Sequence, residues 1–96
     1  MPRTRRGRNL EGLRAAALAL LEAVDQGAPA GDLARTLAVE ALRRLPPDSP
    51  GWCRAVEVLE GGPLRMRRAV DLAGLALDAT DAADAELRRR LSARNG

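Results

Sequence analysis

The apolar residues of this chain are almost all alanine or leucine, and this restricts the kind of core that it can form. The 96 residues include 19 Ala and 16 Leu, a single Trp and no Phe, Tyr or Ile. With so few bulky side chains to fill gaps, the packed elements must approach one another closely. No segment has the alternating pattern of a strand, so we expect an all-α fold in the form of a compact bundle.

Breakers and charge divide the chain into an arm and a domain. Residues 1–8 contain two Gly/Pro breakers, four Arg and no acid, which predicts a flexible Arg-rich arm. Residues 9–96 have the length of one small domain and are predicted to form a single helical domain. No apolar run has the length of a membrane span and no signal-peptide pattern is present, so we expect a cytoplasmic protein.

Apolar residues recur at spacings of three and four in segments that glycine and proline separate. Ser49 before Pro50 is typical of a helix start, whereas Gly27 and Gly61 are typical of helix ends. These signals predict about five short helices. The predicted helices cover residues 9–26, 32–45, 50–60, 63–79 and 81–94.

The fifth predicted helix has the least apolar surface. Asp78, Thr80 and Asp81 are suitable N-caps for it, and its order of acids followed by arginines matches the dipole of a separate helix. Its narrow apolar face consists of Ala83, Leu87 and Leu91.

The third and fourth predicted helices carry the residues that we expect to bind a partner. Trp52 begins a stripe with Val56 and Leu59, and we expect it to be the large anchor of the core, with a partner-binding hot spot as the alternative. The second half of the fourth helix is apolar nearly all round, which indicates a central helix or an oligomer interface. The predicted partner-binding residues are Trp52, Met66, Leu72 and Leu75.

LARTLAV, at residues 33–39, has the residue spacing of a helix-turn-helix motif. That motif needs a turn before its second apolar position, and here the position holds Ala38, a strong helix former. Arg44 and Pro47 occupy positions that a recognition helix would bury, and proline inside a helix costs about 3 kcal/mol. We therefore predict one continuous amphipathic helix.

Every basic side chain of this sequence is arginine. Abundant Arg together with Ala, Gly and Pro is typical of GC-rich, bacterial coding sequences, so the arginine content alone does not indicate phosphate binding. We expect the arm to be a solubilising tail, with nucleic-acid binding as the alternative. The candidate nucleic-acid contacts in that alternative are Arg3, Arg5, Arg6 and Arg8. The C-terminal residues 87–96 are also basic.

Arg65, Arg67 and Arg68 lie at the start of a predicted helix, where the helix dipole disfavours cations. We expect acidic neighbours within the chain to compensate them, with an acidic partner as the alternative. The acidic neighbours in question are Glu57, Glu60 and Asp71.

No set of residues supports catalysis or cofactor binding. The sequence has no His, Tyr or Lys to act as an acid or base, and Cys53, without a histidine, is expected to be a buried structural thiol. Asp78, Asp81 and Asp84 are spaced by three, but the glycine and glutamate of a calcium loop are missing. We therefore predict no catalytic residue, no cofactor and no metal.

These observations favour a non-catalytic helical protein–protein interaction module, a small bacterial adaptor or regulatory protein that self-associates as a homo-oligomer. The excess of apolar helix surface without attached chemistry is the reason for this expectation. The alternative is a nucleic-acid-binding regulator that uses the Arg-rich termini. Five helices also resemble the small adaptors of the death-fold kind, by analogy of helix number alone.

Overall fold

The computed structural model describes the backbone of residues 10–95 and the side chains of residues 10–93. This range forms four α-helices and no strand: α1 (Glu11–Asp25), α2 (Gly31–Arg44), α3 (Pro50–Glu60) and α4 (Arg65–Asn95). The predicted all-α fold is confirmed, but the number of helices in this range is four and not five. The predicted arm, residues 1–8, lies outside the described residues.

The four helices form an up-and-down bundle. A Cβ atom added at Gly12 would lie 3.5 Å from Oε1 of Glu40, so the start of α1 lies beside the end of α2. Arg65, at the start of α4, donates a hydrogen bond to the carbonyl of Gly31, at the start of α2. Within the described chain, α1 and α3 each pack against α2 and α4 but not against each other. The helices α2 and α4 are therefore the close diagonal pair of the bundle.

The core contains small side chains and a few leucines, as the composition predicts. Its largest fully buried side chains are Leu13, Leu20, Leu37, Leu72 and Val58. Alanines fill most of the remaining buried positions, and this lets the helix backbones approach closely. The buried alanines are Ala17, Ala30, Ala34, Ala38, Ala41, Ala55, Ala69, Ala73 and Ala76.

The face of α3 that enters the core differs from the predicted stripe. Gly51, Ala55 and Val58 are buried, whereas Trp52 is only half-buried against the core. Small residues face inward because α3 lies close to its neighbours, so the tryptophan is displaced to the rim. The predicted buried thiol is also wrong: Cys53 is exposed, because it lies two positions from Ala55 and therefore on the opposite side of the helix.

The predicted break between a fourth and a fifth helix is wrong, because α4 continues through Asp78, Thr80 and Asp81. Thr80 is 2% exposed. Its hydroxyl donates a hydrogen bond to the carbonyl of Leu77 at 2.9 Å, so it bonds within the helix instead of capping a new one. The analogy with death-fold adaptors depended on the fifth helix, which this part of the chain lacks.

The other predicted helix ends are confirmed in most cases. The Oγ atom of Ser49 accepts a hydrogen bond from the backbone N–H of Trp52 at 3.4 Å, and Pro50 is the first residue of α3. Gly27 and Gly61 follow helix ends with φ angles of 71° and 84°, which glycine adopts without strain. The start of α2 lies one residue before the predicted start at position 32, since the helix begins at Gly31 after the N-cap residue Ala30.

The LARTLAV segment lies within a single uninterrupted helix, as predicted. Ala38 is buried in the middle of α2, together with Ala34, Leu37 and Ala41. The apolar middle of α4 is central, since it packs against all three other helices. Of the two roles predicted for that segment, a central helix or an oligomer interface, the first is observed.

Candidate protein-interaction surface

Helix α4 is much longer than the helices against which it packs. Its 31 residues span about 46 Å, whereas α1, α2 and α3, with 15, 14 and 11 residues, span about 16–22 Å. The described part of the molecule measures 50 × 26 × 24 Å, so α4 determines its long dimension. Thr80 is the last buried residue of α4 among the side chains that are described. We call residues 81–95 the α4 extension.

The face of α4 that packs in the bundle continues along the α4 extension. Inside the bundle this face consists of Ala69, Leu72, Ala73, Ala76 and Thr80. The same spacing of three and four leads on to Ala83, Leu87 and Leu91. Leu87 is 56% exposed and Leu91 is 48% exposed. We call these three residues the extension stripe, because they continue a core face beyond the helices that cover it.

A groove lies between the start of α1 and the α4 extension, and we call it the α1–α4 groove. Its volume is about 800 Å³. Leu10, Ala83 and Leu87 provide apolar parts of its wall. The charged residues that line it are Glu11, Arg14, Asp84, Glu86 and Arg90. Apolar surface bordered by charge is typical of grooves that accept an amphipathic helix.

Arg14 attaches the start of α1 to the base of the α4 extension. Its Nη2 atom lies 2.9 Å from Oδ2 of Asp84 and 3.4 Å from Oδ1 of Asp81. The expectation that Asp81 caps a helix is therefore wrong, because Asp81 lies inside α4 and binds a residue of α1. All three side chains are well exposed, so the contacts orient α1 and contribute little to stability.

Two arginines bind the carboxylate of Glu86 within the α4 extension. Arg89 donates a hydrogen bond to Oε1, and Nε of Arg90 donates one to Oε2 at 3.2 Å. These two hydrogen bonds lower the pKa of Glu86 below its ordinary value of 4.5, and the bond from Arg89 has the larger effect. The carboxylate is ionised at neutral pH with or without this shift, and the two arginines offset its charge beside the extension stripe.

Two arginines at the start of α4 bind groups on neighbouring helices. The Nη1 atom of Arg68 lies 3.1 Å from Oε1 of Glu57, which confirms one of the predicted acidic partners. Arg65 donates hydrogen bonds to the carbonyl of Val58 at 3.1 Å and to that of Gly31 at 3.3 Å. It thus joins α4 to the ends of α3 and α2, a role that sequence reasoning missed.

The predicted partner-binding residues lie in and around the core. Leu72 is fully buried. Trp52, Met66 and Leu75 are half-buried, and their role in binding a partner remains a prediction. The sequence predicted that Leu87 and Leu91 form the packing face of a fifth helix. The structure shows that no neighbouring helix covers them fully.

The described residues contain no group of three or more acidic or cysteine side chains that could hold a metal ion. None of the helices in this part of the chain is both long and apolar enough to cross a membrane. The candidate site in the described chain is the extension stripe with the adjoining groove, since Leu87 is the most exposed large apolar side chain in that range.

Comparison of this chain with models of protein families, with curated proteins and with solved structures finds no match.

Proposed function

We propose that this protein is a non-catalytic helical protein–protein interaction module, of the size of a small adaptor or regulatory domain. The observation that supports this proposal is the extension stripe, in which Leu87 and Leu91 continue a core face into solvent. Burying a leucine side chain fully is worth about 1.5–3 kcal/mol. Covering the exposed half of both side chains contributes about 1.5–3 kcal/mol in total, so a partner must also contact the adjoining groove to offset the cost of association.

The α1–α4 groove supports the same proposal. Leu10, before the start of α1, and Leu87, in the α4 extension, both line it, so a docked helix would contact two elements of the module. Its charged rim of acids and arginines gives a partner directional contacts, which set orientation and specificity. Such a surface accepts a second copy of the chain or a different protein chain.

The test is a pair of substitutions in the extension stripe, Leu87→Asp with Leu91→Asp. We expect light scattering of the purified protein to show loss of association, or capture from its native lysate to lose the retained protein. Leu18→Asp is the matched control, because Leu18 is 50% exposed on α1 and lies outside the α4 extension. A strict monomer that retains no protein partner would contradict the proposal.

Nucleic-acid binding through the Arg-rich termini remains the alternative. Several described arginines are paired with carboxylates, which reduces the positive charge available to phosphates. These paired arginines are Arg14, Arg44, Arg54, Arg68, Arg89 and Arg90. The candidate contacts Arg3, Arg5, Arg6 and Arg8 lie outside the described residues. Salt-dependent binding of duplex DNA that disappears when residues 1–8 are removed would favour this alternative.

A further inference from the structure

We propose that the partner of the extension stripe is a second copy of this chain, docked antiparallel about a two-fold axis at Leu87. This inference rests on the proposed function and specifies its partner. It comes from the order of charges on the two sides of the stripe.

Each side of the extension stripe carries an acid four residues before an arginine. With 3.6 residues per turn, Asp84 and Arg88 lie on one side of the stripe and Glu86 and Arg90 lie on the other. The contact of 3.2 Å between Arg90 and Glu86 agrees with this placement. The midpoints of the two pairs are residues 86 and 88, so the charge pattern is centred on Leu87.

An antiparallel pair about this centre brings opposite charges together. The side that carries Asp84 and Arg88 then lies next to the same side of the other copy, and likewise for Glu86 and Arg90. Position 90 of one copy is level with position 84 of the other. Arg88 lies about 3 Å along the axis from Asp84 of the second copy, and Arg90 lies about 3 Å from its Glu86. Long arginine side chains cover such an offset, so each side gains two attractive contacts. One like-charge pair per side, Arg88 with Arg88 or Glu86 with Glu86, lies at the same offset, so attraction exceeds repulsion by one contact on each side.

A parallel pair places most of the same charges against like charges. In that arrangement opposite sides adjoin, so Asp84 lies beside Glu86 of the other copy and Arg88 lies beside its Arg90. Like charges in such positions oppose association. The charge order therefore selects the antiparallel pair.

The apolar residues fit the same two-fold axis. Leu87 meets Leu87 at the centre, and Leu91 of each copy lies level with Ala83 of the other. A large side chain opposite a small one lets the two helices interdigitate. Ala83 lines the α1–α4 groove, so the end of each helix extends towards the groove of the other copy.

Disulfide trapping tests this register directly, with full-length chains in which Cys53→Ser removes the exposed native thiol. Leu87→Cys is expected to cross-link with itself, because a disulfide needs Cα atoms within about 4.4–6.8 Å. Ala83→Cys alone and Leu91→Cys alone should not cross-link, since like positions are then about 12 Å apart along the axis. A mixture of these two variants should form the mixed disulfide.

Leu18→Cys, at a comparably exposed position of α1, is the control for random collisions and is expected to stay reduced. Circular dichroism of each variant checks that the bundle is folded. Self-cross-linking of Ala83→Cys, or equal cross-linking at every site, would overturn the antiparallel arrangement. A folded monomer that retains a different protein through Leu87 and Leu91 also overturns this inference, but it leaves the proposed function intact. A monomer that retains nothing contradicts both.

Discussion

Arg65 shows how a single polar side chain joins helices whose common core is almost wholly apolar. The carbonyl of Val58, in the last turn of α3, accepts a hydrogen bond from the backbone N–H of Gly61 and a second one from Arg65. The same guanidinium reaches Gly31 at the start of α2. Three helices thus meet at one residue, although the sequence around it gives no sign beyond an arginine at a helix start.

Replacing Arg65 with methionine is expected to lower the free energy of unfolding by about 1–3 kcal/mol, because hydrogen bonds from a charged donor are lost. The partial exposure of Arg65 places the value towards the lower end of that range. Urea denaturation followed by circular dichroism measures the change. Arg67→Met is the control, since Arg67 is exposed and its loss should alter stability by about 0.5 kcal/mol or less. Equal effects of the two substitutions would contradict the role of Arg65.

Two helical glycines should respond to substitution in opposite ways. A Cβ atom at Gly51 would lie 2.5 Å from Cδ1 of Leu45, whereas one at Gly74 would meet nothing within 4 Å. We expect Gly74→Ala to stabilise the protein by about 0.5–1 kcal/mol, because glycine is unfavourable inside a helix. Gly51→Val should cost about 1–3 kcal/mol through overpacking. The melting temperatures of both variants, measured at equal protein concentration, test these expectations. A higher melting temperature for Gly51→Val would disprove the close approach of α3 to Leu45.

Among the helices, local signals predicted most ends to within a few residues but placed a break inside α4, where there is none. Ser49, Gly27 and Gly61 act locally, through their own backbone or hydroxyl groups, so sequence alone identifies them. Thr80 and Asp81 have the same cap preference, yet their polar groups bind Leu77 and Arg14 instead. Arg14 is distant in sequence, so no local pattern could have revealed that contact.

The candidate surface was missed for a related reason. The spacing of Ala83, Leu87 and Leu91 was visible in the sequence, and a packing face was a sound interpretation of it. Whether another helix covers such a face depends on the lengths of the neighbouring helices. Only in the bundle does it become clear that α1, which starts at Glu11, leaves Leu87 and Leu91 largely uncovered.

The continuity of α4 can be tested with proline at Ala82, an exposed position directly after the bundle. Proline removes a helix hydrogen bond and clashes with the preceding turn, at a cost of about 3 kcal/mol. We expect Ala82→Pro to lose the far-ultraviolet circular dichroism of the α4 extension. Trp52, which packs against the core, should keep its fluorescence, because the bundle remains folded.

Ala82→Gly is the control for that substitution, since it weakens the helix by only about 1 kcal/mol without a clash. If Ala82→Pro changes neither the helical signal nor association, residues 81–95 are not a continuous part of α4. If it unfolds the bundle as well, the extension contributes to the core more than its exposure indicates.

The bundle carries a long helix whose last 15 residues, about 22 Å of helix, follow Thr80, the last of its described side chains to be buried. An isolated helix of 15 residues is marginally stable in water, so the α4 extension gains stability from anything that covers its stripe. Association and helix formation are therefore coupled in this protein. The coupling reaches the bundle because α4 is continuous from Arg65 to Asn95.

This coupling predicts a melting temperature that depends on protein concentration. If folded chains pair and unfolded chains do not, a hundredfold rise in concentration above the dissociation constant should raise the melting temperature by roughly 5–10 °C. Leu87→Asp with Leu91→Asp should remove that dependence, whereas Leu18→Asp should preserve it. Differential scanning calorimetry over that concentration range provides the measurement. A melting temperature that stays constant in the unmodified protein would show that covering the extension stripe and folding the bundle are independent.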